Sequence, residues 1–194
     1  NEKGQRTQIT YGNGVTTTYT YDPDTFRLTH LYTRRGATFA EDCGGEPPRF
    51  AAPAKPPANQ PCGLQNLHYT YDPVGNITNL RDDAQQTIFF DGEVVTPSTD
   101  YQYDAIYRLV QAMGREHRGQ TVNNQPLPSD LYNPSDAGRT GLPHPQMGGA
   151  MRNYTESYTY DGVGNILAMA HQADGGAWTR RYRYATHNNR LEAT

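Results

Sequence analysis

Six histidines, His30, His68, His117, His144, His171 and His187, are the residues whose type suits general acid–base work or metal ligation near neutral pH. They are scattered along the chain. Glu116-His117 by itself falls far short of a zinc-protease motif, and His144, set between Pro143 and Pro145, reads as a loop residue. Asp82-Asp83 offers paired carboxylates before Ala84-Gln85-Gln86, but a calcium site needs about six oxygen ligands or more, so a turn at a strand end is the simpler reading. Gly12-Asn13-Gly14 precedes a strand-like threonine run instead of the helix amino terminus that makes a phosphate cradle, and it reads as a turn. These residues give no catalytic, cofactor-binding or metal-binding set to assign.

Cys43 and Cys62 flank one proline-rich stretch. Oxidised, they would close a loop of about 20 residues and add about 3 kcal/mol by constraining the unfolded chain; two reduced thiols are the alternative. Their spacing lacks the close couples of a zinc site. Arg180, Arg181 and Arg183 stand among aromatics where an acidic or nucleic-acid partner could bind, yet strand alternation splits them between two faces, which favours solvated charge. Asn76-Ile77-Thr78 and Asn153-Tyr154-Thr155 match glycosylation sequons, a triplet that arises readily by chance.

Composition narrows the elements that must position these residues. Only 35% of the chain is hydrophobic even with tyrosine counted, while 15 tyrosines stand beside five phenylalanines and one tryptophan. A core must therefore be thin or lean on tyrosine, whose ring packs while its hydroxyl reaches water or backbone. Seventeen basic against 20 acidic residues give a formal charge of -3, of the wrong sign for a nucleic-acid partner. No apolar run approaches the roughly 18 residues of a membrane-spanning segment. Asn1-Glu2-Lys3-Gly4 resembles no signal peptide, and with no initiating methionine the chain is expected to be a segment of something longer.

One phrase recurs five times. Its copies are Tyr19-Thr20-Tyr21-Asp22, Tyr69-Thr70-Tyr71-Asp72, Tyr101-Gln102-Tyr103-Asp104, Tyr158-Thr159-Tyr160-Asp161 and Tyr182-Arg183-Tyr184-Ala185, followed in turn by Leu28, Ile77, Leu109, Ile166 and Leu191. Period-two alternation puts the two tyrosines of a copy on one strand face. Asp72-Pro73-Val74-Gly75 then reads as a type I turn closed by a left-handed glycine, with Asn76-Ile77 opening the return strand; Asp161-Gly162-Val163-Gly164 repeats it. In the third copy Tyr107 stands where the others have glycine, so either a bulky residue takes positive φ or the turn differs. The first copy is one residue longer between Asp22 and Leu28, which predicts a longer turn.

Asp91-Gly92, between Phe89-Phe90 and Glu93-Val94, predicts a tight hairpin. Ala173 to Ala177 predicts another, leading into one strand from Trp178 to Tyr184 with Trp178, Arg180, Tyr182 and Tyr184 on a face. Helical periodicity is weak throughout. The expected fold is all-β, an antiparallel series of hairpins over 1–194, interrupted by surface insertions at 35–61 and 114–152 where proline and glycine gather.

The phrases Tyr11-Gly12-Asn13-Gly14-Val15, Tyr21-Asp22-Pro23, Arg27-Leu28-Thr29, Tyr71-Asp72-Pro73-Val74-Gly75-Asn76-Ile77 and Tyr107-Arg108-Leu109 resemble the Rhs and YD-repeat proteins, especially the repeat region of the B and C components of bacterial Tc insecticidal toxins. The resemblance implies a β-sheet spiralling into a hollow cocoon that encloses a cytotoxic cargo, in a secreted or extracellular bacterial protein. Neighbouring repeats of the same shell and an encapsulated toxin are its implied partners. The aspartate-based self-cleavage motif of some relatives has no convincing counterpart here. A non-catalytic shell wall is the leading expectation. A module binding a surface glycan or receptor is the runner-up, because loops on rigid scaffolds often carry recognition. An enzyme using His117 or His144 comes third.

Overall fold

The computed structural model describes residues 1–36, 62–118, 149–174 and 176–194. They form strands and no α-helix, so among the described residues no helix is long and apolar enough to cross a membrane. The strands are β1 (Gln8–Thr10), β2 (Thr16–Tyr21), β3 (Leu28–Arg34), β4 (Gln65–Tyr71), β5 (Ile77–Asp82), β6 (Ile88–Phe90), β7 (Glu93–Val95), β8 (Ser98–Tyr103), β9 (Leu109–His117), β10 (Met151–Tyr160), β11 (Ile166–Ala173), β12 (Gly176–Arg181), β13 (Arg183–Tyr184) and β14 (Leu191–Ala193). The fold is all-β and antiparallel, as the hairpin phrases imply.

Two compact units divide the chain, one of Asn1–Thr87 with Thr96–Thr99, the other of Ile88–Val95 with Asp100–Thr194. In the first, β1 to β5 form a meander in chain order. In the second, β8 to β12 do the same, while β6 and β7 make a hairpin that packs against β10 and β13 pairs with β14.

A meander of this kind has two faces to satisfy and little apolar side chain to do it with. Among the described residues the buried apolar set is Tyr32, Cys62, Val95 and Ala112, and the buried polar set is larger: Thr17, His30, Thr33, Asn66, Arg152 and His171. Buried polar groups stay buried only when hydrogen-bonded. Thr17 and Thr33 meet across β2 and β3 at 2.9 Å, and the remaining four belong to the clusters described below.

The turns follow their local chemistry. Asp91 and Gly92 both take positive φ, 52° and 82°, as a two-residue hairpin demands. Tyr11 to Val15 closes as the expected turn between β1 and β2, with the Tyr11 amide donating to the Val15 carbonyl at 2.8 Å. The described ends of 114–152 are ladder, not loop. β9 runs to His117 and β10 begins at Met151, with His117 opposite Met151. Residues 119–148, His144 among them, and residues 37–61 lie outside the described residues.

The predicted strand from Trp178 to Tyr184 divides at Tyr182. β12 stays with β11 up to Arg181, opposite Ala168, and the Tyr182 amide donates to Leu167 at 2.9 Å. There β11 begins, so no partner strand continues beyond it, and Arg183 and Tyr184 pair instead with β14.

Candidate functional site

In the first four copies the aspartate works as a backbone anchor. Asp72 Oδ1 accepts the amides of Gly75 at 2.7 Å and Asn76 at 2.8 Å, while Oδ2 accepts the Asn76 side-chain amide at 2.7 Å. Asp161 repeats this with Val163 and Asn165, and the Asn165 side chain closes at 2.8 Å. In the third copy Arg108 replaces the asparagine, its amide on Oδ1 of Asp104 at 2.9 Å and its Nε on Oδ2 at 2.7 Å. The residue four after the aspartate is therefore a working part of the turn, which its spacing would have revealed.

These contacts stabilise the charged carboxylate. The Thr25 amide holds Asp22 below the usual carboxylate range, the Arg108 amide does so for Asp104, and the Asn165 side chain for Asp161. At Asp72 partial burial pushes upward, but the Asn76 side chain and the turn amides together outweigh it and the net direction is down. Gly75 and Gly164 take the left-handed φ, 112° and 97°. Tyr107 takes it too, at 67°, and in the longer first turn Phe26 does so at 60°. The fifth copy has Ala185 for aspartate and keeps only the backbone closure, Ala185 amide to Arg190 carbonyl at 2.9 Å.

Every return strand carries one extra residue just past its aliphatic position. Tyr21 faces Leu28, Tyr71 faces Ile77, Tyr103 faces Leu109, Tyr160 faces Ile166 and Tyr184 faces Leu191, and the register slips beside each. The aliphatic residue that follows each copy is thus the direct partner of the second tyrosine.

Successive copies then interlock. The Tyr71 hydroxyl donates to the carbonyl of Leu28 at 2.7 Å, while Arg27 donates to the carbonyls of Asp72 at 2.9 Å and Pro73 at 3.1 Å. In the second unit Tyr160 donates to Leu109 at 2.6 Å and Arg108 to Asp161 at 3.3 Å. Each guanidinium also lies over its tyrosine ring, Arg27 at 5.6 Å from Tyr71 and Arg108 at 4.7 Å from Tyr160. Burial raises the pKa of both phenols, which keeps them donors. Gly75 is needed twice over, because a Cβ there would stand 3.1 Å from the Arg27 guanidinium.

The first tyrosines line a face. Tyr19 lies opposite Leu31, Leu31 opposite Leu67, and Tyr69 opposite Leu80. The other face of that unit collects histidine: His30 stacks on His68 with centroids 4.2 Å apart, His30 Nε2 meets Asn66 Oδ1 at 2.6 Å, and His68 Nε2 stands 3.3 Å from Asp83. Asp83 is also gripped by Arg81 at 2.7 Å. Asp82 Oδ1 accepts the amides of Asn66 and Ala84, so both acidic residues serve the local structure.

In the second unit the tyrosine face holds charge. Tyr101, Ala112, Glu156, His171 and Trp178 follow one another across β8 to β12. Arg152 binds Glu116 at 2.6 Å and the carbonyl of Asp174, and His171 stands between Glu116 and Glu156. The His171 ring stacks between Tyr154 and Trp178. These histidines are scattered in the sequence, and ladder register, not sequence spacing, brings His30 to His68 and His171 to Glu116. Among the described residues no three His, Cys, Asp or Glu donors converge as a metal site would require. Cys62 is disulfide-bonded, and Cys43 lies outside the described residues.

No protein-family model matches the chain. Toxin subunit YenC2 of Yersinia entomophaga is 38% identical over 170 residues, 88% of this chain and 15% of that protein. Toxin subunit YenC1 of the same organism is 32% identical over 192 residues, 96% of this chain and 16% of that protein. A crystal structure of TcdB2-TccC3-Cdc42 superposes with a TM-score of 0.59 at 29% identity, covering 98% of this chain and 8% of that one. A Photorhabdus luminescens Tc holotoxin pore gives a TM-score of 0.60 at 31% identity over 98% of this chain and 7% of that one. The chain therefore spans about a sixth of the curated relatives it matches. With its repeated tyrosine-aspartate hairpins and these relatives, the chain belongs to the Rhs/YD-repeat family and is similar to the repeat β-sheet of Tc toxin components.

Proposed function

We propose that this chain is a non-catalytic wall segment of an Rhs/YD-repeat shell that encloses a toxin or effector cargo in a secreted bacterial protein. The observation that carries the reading is the interlock of consecutive copies. The arginine and carbonyl of one hairpin receive the tyrosine and aspartate of the next, which is the work of a wall and uses the polar residues an enzyme would otherwise deploy. The stretch 35–61 and the residues between β9 and β10 are insertions between copies in this reading, and Cys43 is the partner of Cys62. The similarity to toxin subunits supports it, and one similar solved structure is named as TcdB2-TccC3 without its hypervariable C-terminal region.

Limited proteolysis of the full-length protein tests the proposal. A domain carried beside the repeats should resist protease while the hairpins are intact and become digestible when Tyr71→Ala and Tyr160→Ala loosen them. Equal digestion of that domain in both proteins would sink the encapsulation reading, and hydrolytic activity lost on replacing His117 or His144 would sink the non-catalytic one.

A further inference from the structure

The contacts between hairpins include a receptor outside the five tyrosine phrases, and it shows what a receptor requires. Asn1 heads a turn built as Asp161 builds its own. Its Oδ1 accepts the amides of Lys3 at 3.1 Å and Gln5 at 3.0 Å, its side-chain amide donates to Gln5 Oε1 at 2.7 Å, and Gly4 takes a left-handed φ of 73°. Gln5 then donates to the Phe26 carbonyl at 3.0 Å, and the Arg6 carbonyl accepts the Tyr21 hydroxyl at 2.9 Å. Arg27 with Leu28 treats the turn of Asp72 in the same way, and Arg108 with Leu109 that of Asp161. A receptor is therefore two consecutive residues that follow a turn. The first sends a side-chain N–H to a carbonyl of the incoming turn, and the second offers its own carbonyl to the incoming second tyrosine. The aspartate is not part of it, since Asn1 heads a receptor equally well.

Arg190 and Leu191 have the same form. The Ala185 amide donates to the Arg190 carbonyl at 2.9 Å as the Asp22 amide does to that of Arg27 at 2.8 Å, and Leu191 faces Tyr184 as Leu28 faces Tyr21. The spacing from Ala185 to Leu191 equals that from Asp22 to Leu28. Both Arg190 and Leu191 are exposed. Ala185 leaves the guanidinium no carboxylate in its own turn, unlike Asp104 with Arg108. Among the described residues no carbonyl takes the Arg190 guanidinium and no tyrosine hydroxyl reaches the Leu191 carbonyl. The second tyrosines of the first, second and fourth copies are committed to Arg6, Leu28 and Leu109. The relatives are several times longer than this chain, which leaves room for further hairpins.

We infer that Arg190 and Leu191 are the receptor for a further tyrosine-aspartate hairpin, supplied by the same polypeptide outside residues 1–194. Arg190 donates to a carbonyl of that hairpin's turn, and the Leu191 carbonyl accepts its second tyrosine. The inference rests on the wall reading and names the two residues at which the wall continues.

Hydrogen exchange on the full-length protein tests it. Arg190→Ala should speed exchange about fivefold, the effect of about one lost hydrogen bond, in the turn between β13 and β14 and in one distant segment that contains a Tyr-x-Tyr-Asp sequence. Arg190→Gln should keep most of the protection in both, because Gln5 does the same work with an uncharged amide. Arg181→Ala, at another exposed arginine, should leave the distant segment unchanged. The inference is overturned if Arg190→Ala changes no distant segment, if the changed segment lacks that sequence, or if Arg190→Gln or Arg181→Ala has the same effect as Arg190→Ala. Protection of the distant segment that vanishes on dilution would assign the hairpin to a second molecule and overturn it as well. Digestion of an enclosed domain by protease leaves this readout untouched, so the receptor and the encapsulation reading fail separately.

Discussion

The Tyr71 hydroxyl donates to the Leu28 carbonyl oxygen at 2.7 Å, joining the second tyrosine of one copy to the aliphatic position of the copy before it. Tyr160 and Leu109 repeat the relationship at 2.6 Å. Tyr71→Phe keeps the ring and loses one hydrogen bond, so it should cost about 1 kcal/mol. For a chain of this length that is a fall of about 3 °C in melting temperature, and Tyr160→Phe should match it. Calorimetry that finds either variant as stable as the parent would remove the hydroxyl from the account.

Tyr107 occupies a left-handed backbone position, φ 67°, where two other copies place glycine. A side chain there costs about 1 to 2 kcal/mol, and the Tyr107 ring is 59% exposed, so it recovers little by packing. Tyr107→Gly should raise stability by about 1 kcal/mol in denaturant melts, after the loss of unfolded-state restriction is counted. Tyr107→Val should lower it.

Asp22, Asp72, Asp104 and Asp161 are all held below the usual carboxylate range by turn hydrogen bonds. A depressed folded-state pKa means that the unfolded chain binds the proton first. The stabilisation is whole above the ordinary carboxylate pKa of about 4 and is lost as pH falls through the lower folded values. The hydrogen-exchange protection of the Gly75, Asn76, Val163 and Asn165 amides, relative to their intrinsic rates, should therefore fall in acid before that of the strand interiors does. Asp72→Asn should blunt that response at Gly75 and Asn76 alone.

Gly114 lies against Tyr154, and a Cβ added there would stand 2.8 Å from the phenol oxygen. Tyr154 is also stacked on His171 at 5.1 Å, so it cannot swing aside freely. Gly114→Ala should cost about 1 to 3 kcal/mol by overpacking and should change the near-ultraviolet circular dichroism of the Tyr154–His171–Trp178 stack. An unchanged spectrum would mean the ring has room to move.

Cys62 is disulfide-bonded, and the chain has one other cysteine. Peptide mapping without reductant should recover Cys43 linked to Cys62, and reduction should lower stability by about 3 kcal/mol. Recovery of two free thiols would show the loop to be open in solution.

The hairpins were legible because their information is local. Asp72-Pro73-Val74-Gly75 and Asp91-Gly92 state their turns in four and two residues, and the longer first turn followed from one added position. The same locality explains what was hidden. The break at Tyr182 depends on where β11 runs out, and the stacking of His30 on His68 depends on the register of β3 against β4. The extra residue in each return strand sets which side chains meet, and it leaves no composition signal. Asn76, Asn165 and Arg108 could have been found, since all stand four residues after an aspartate that had already been singled out.

The link between copies has a direction. Arg27 and Leu28 give one kind of surface, Tyr71 and Asp72 another, and Arg108 with Asp161 preserves the order. In the language of assembly each is a heterologous contact, head to tail, in which two different surfaces meet. Within one polypeptide a hairpin can therefore receive its neighbour on one side and present its own tyrosine on the other, so that the same device is laid down along the chain in one sense without any surface being used twice.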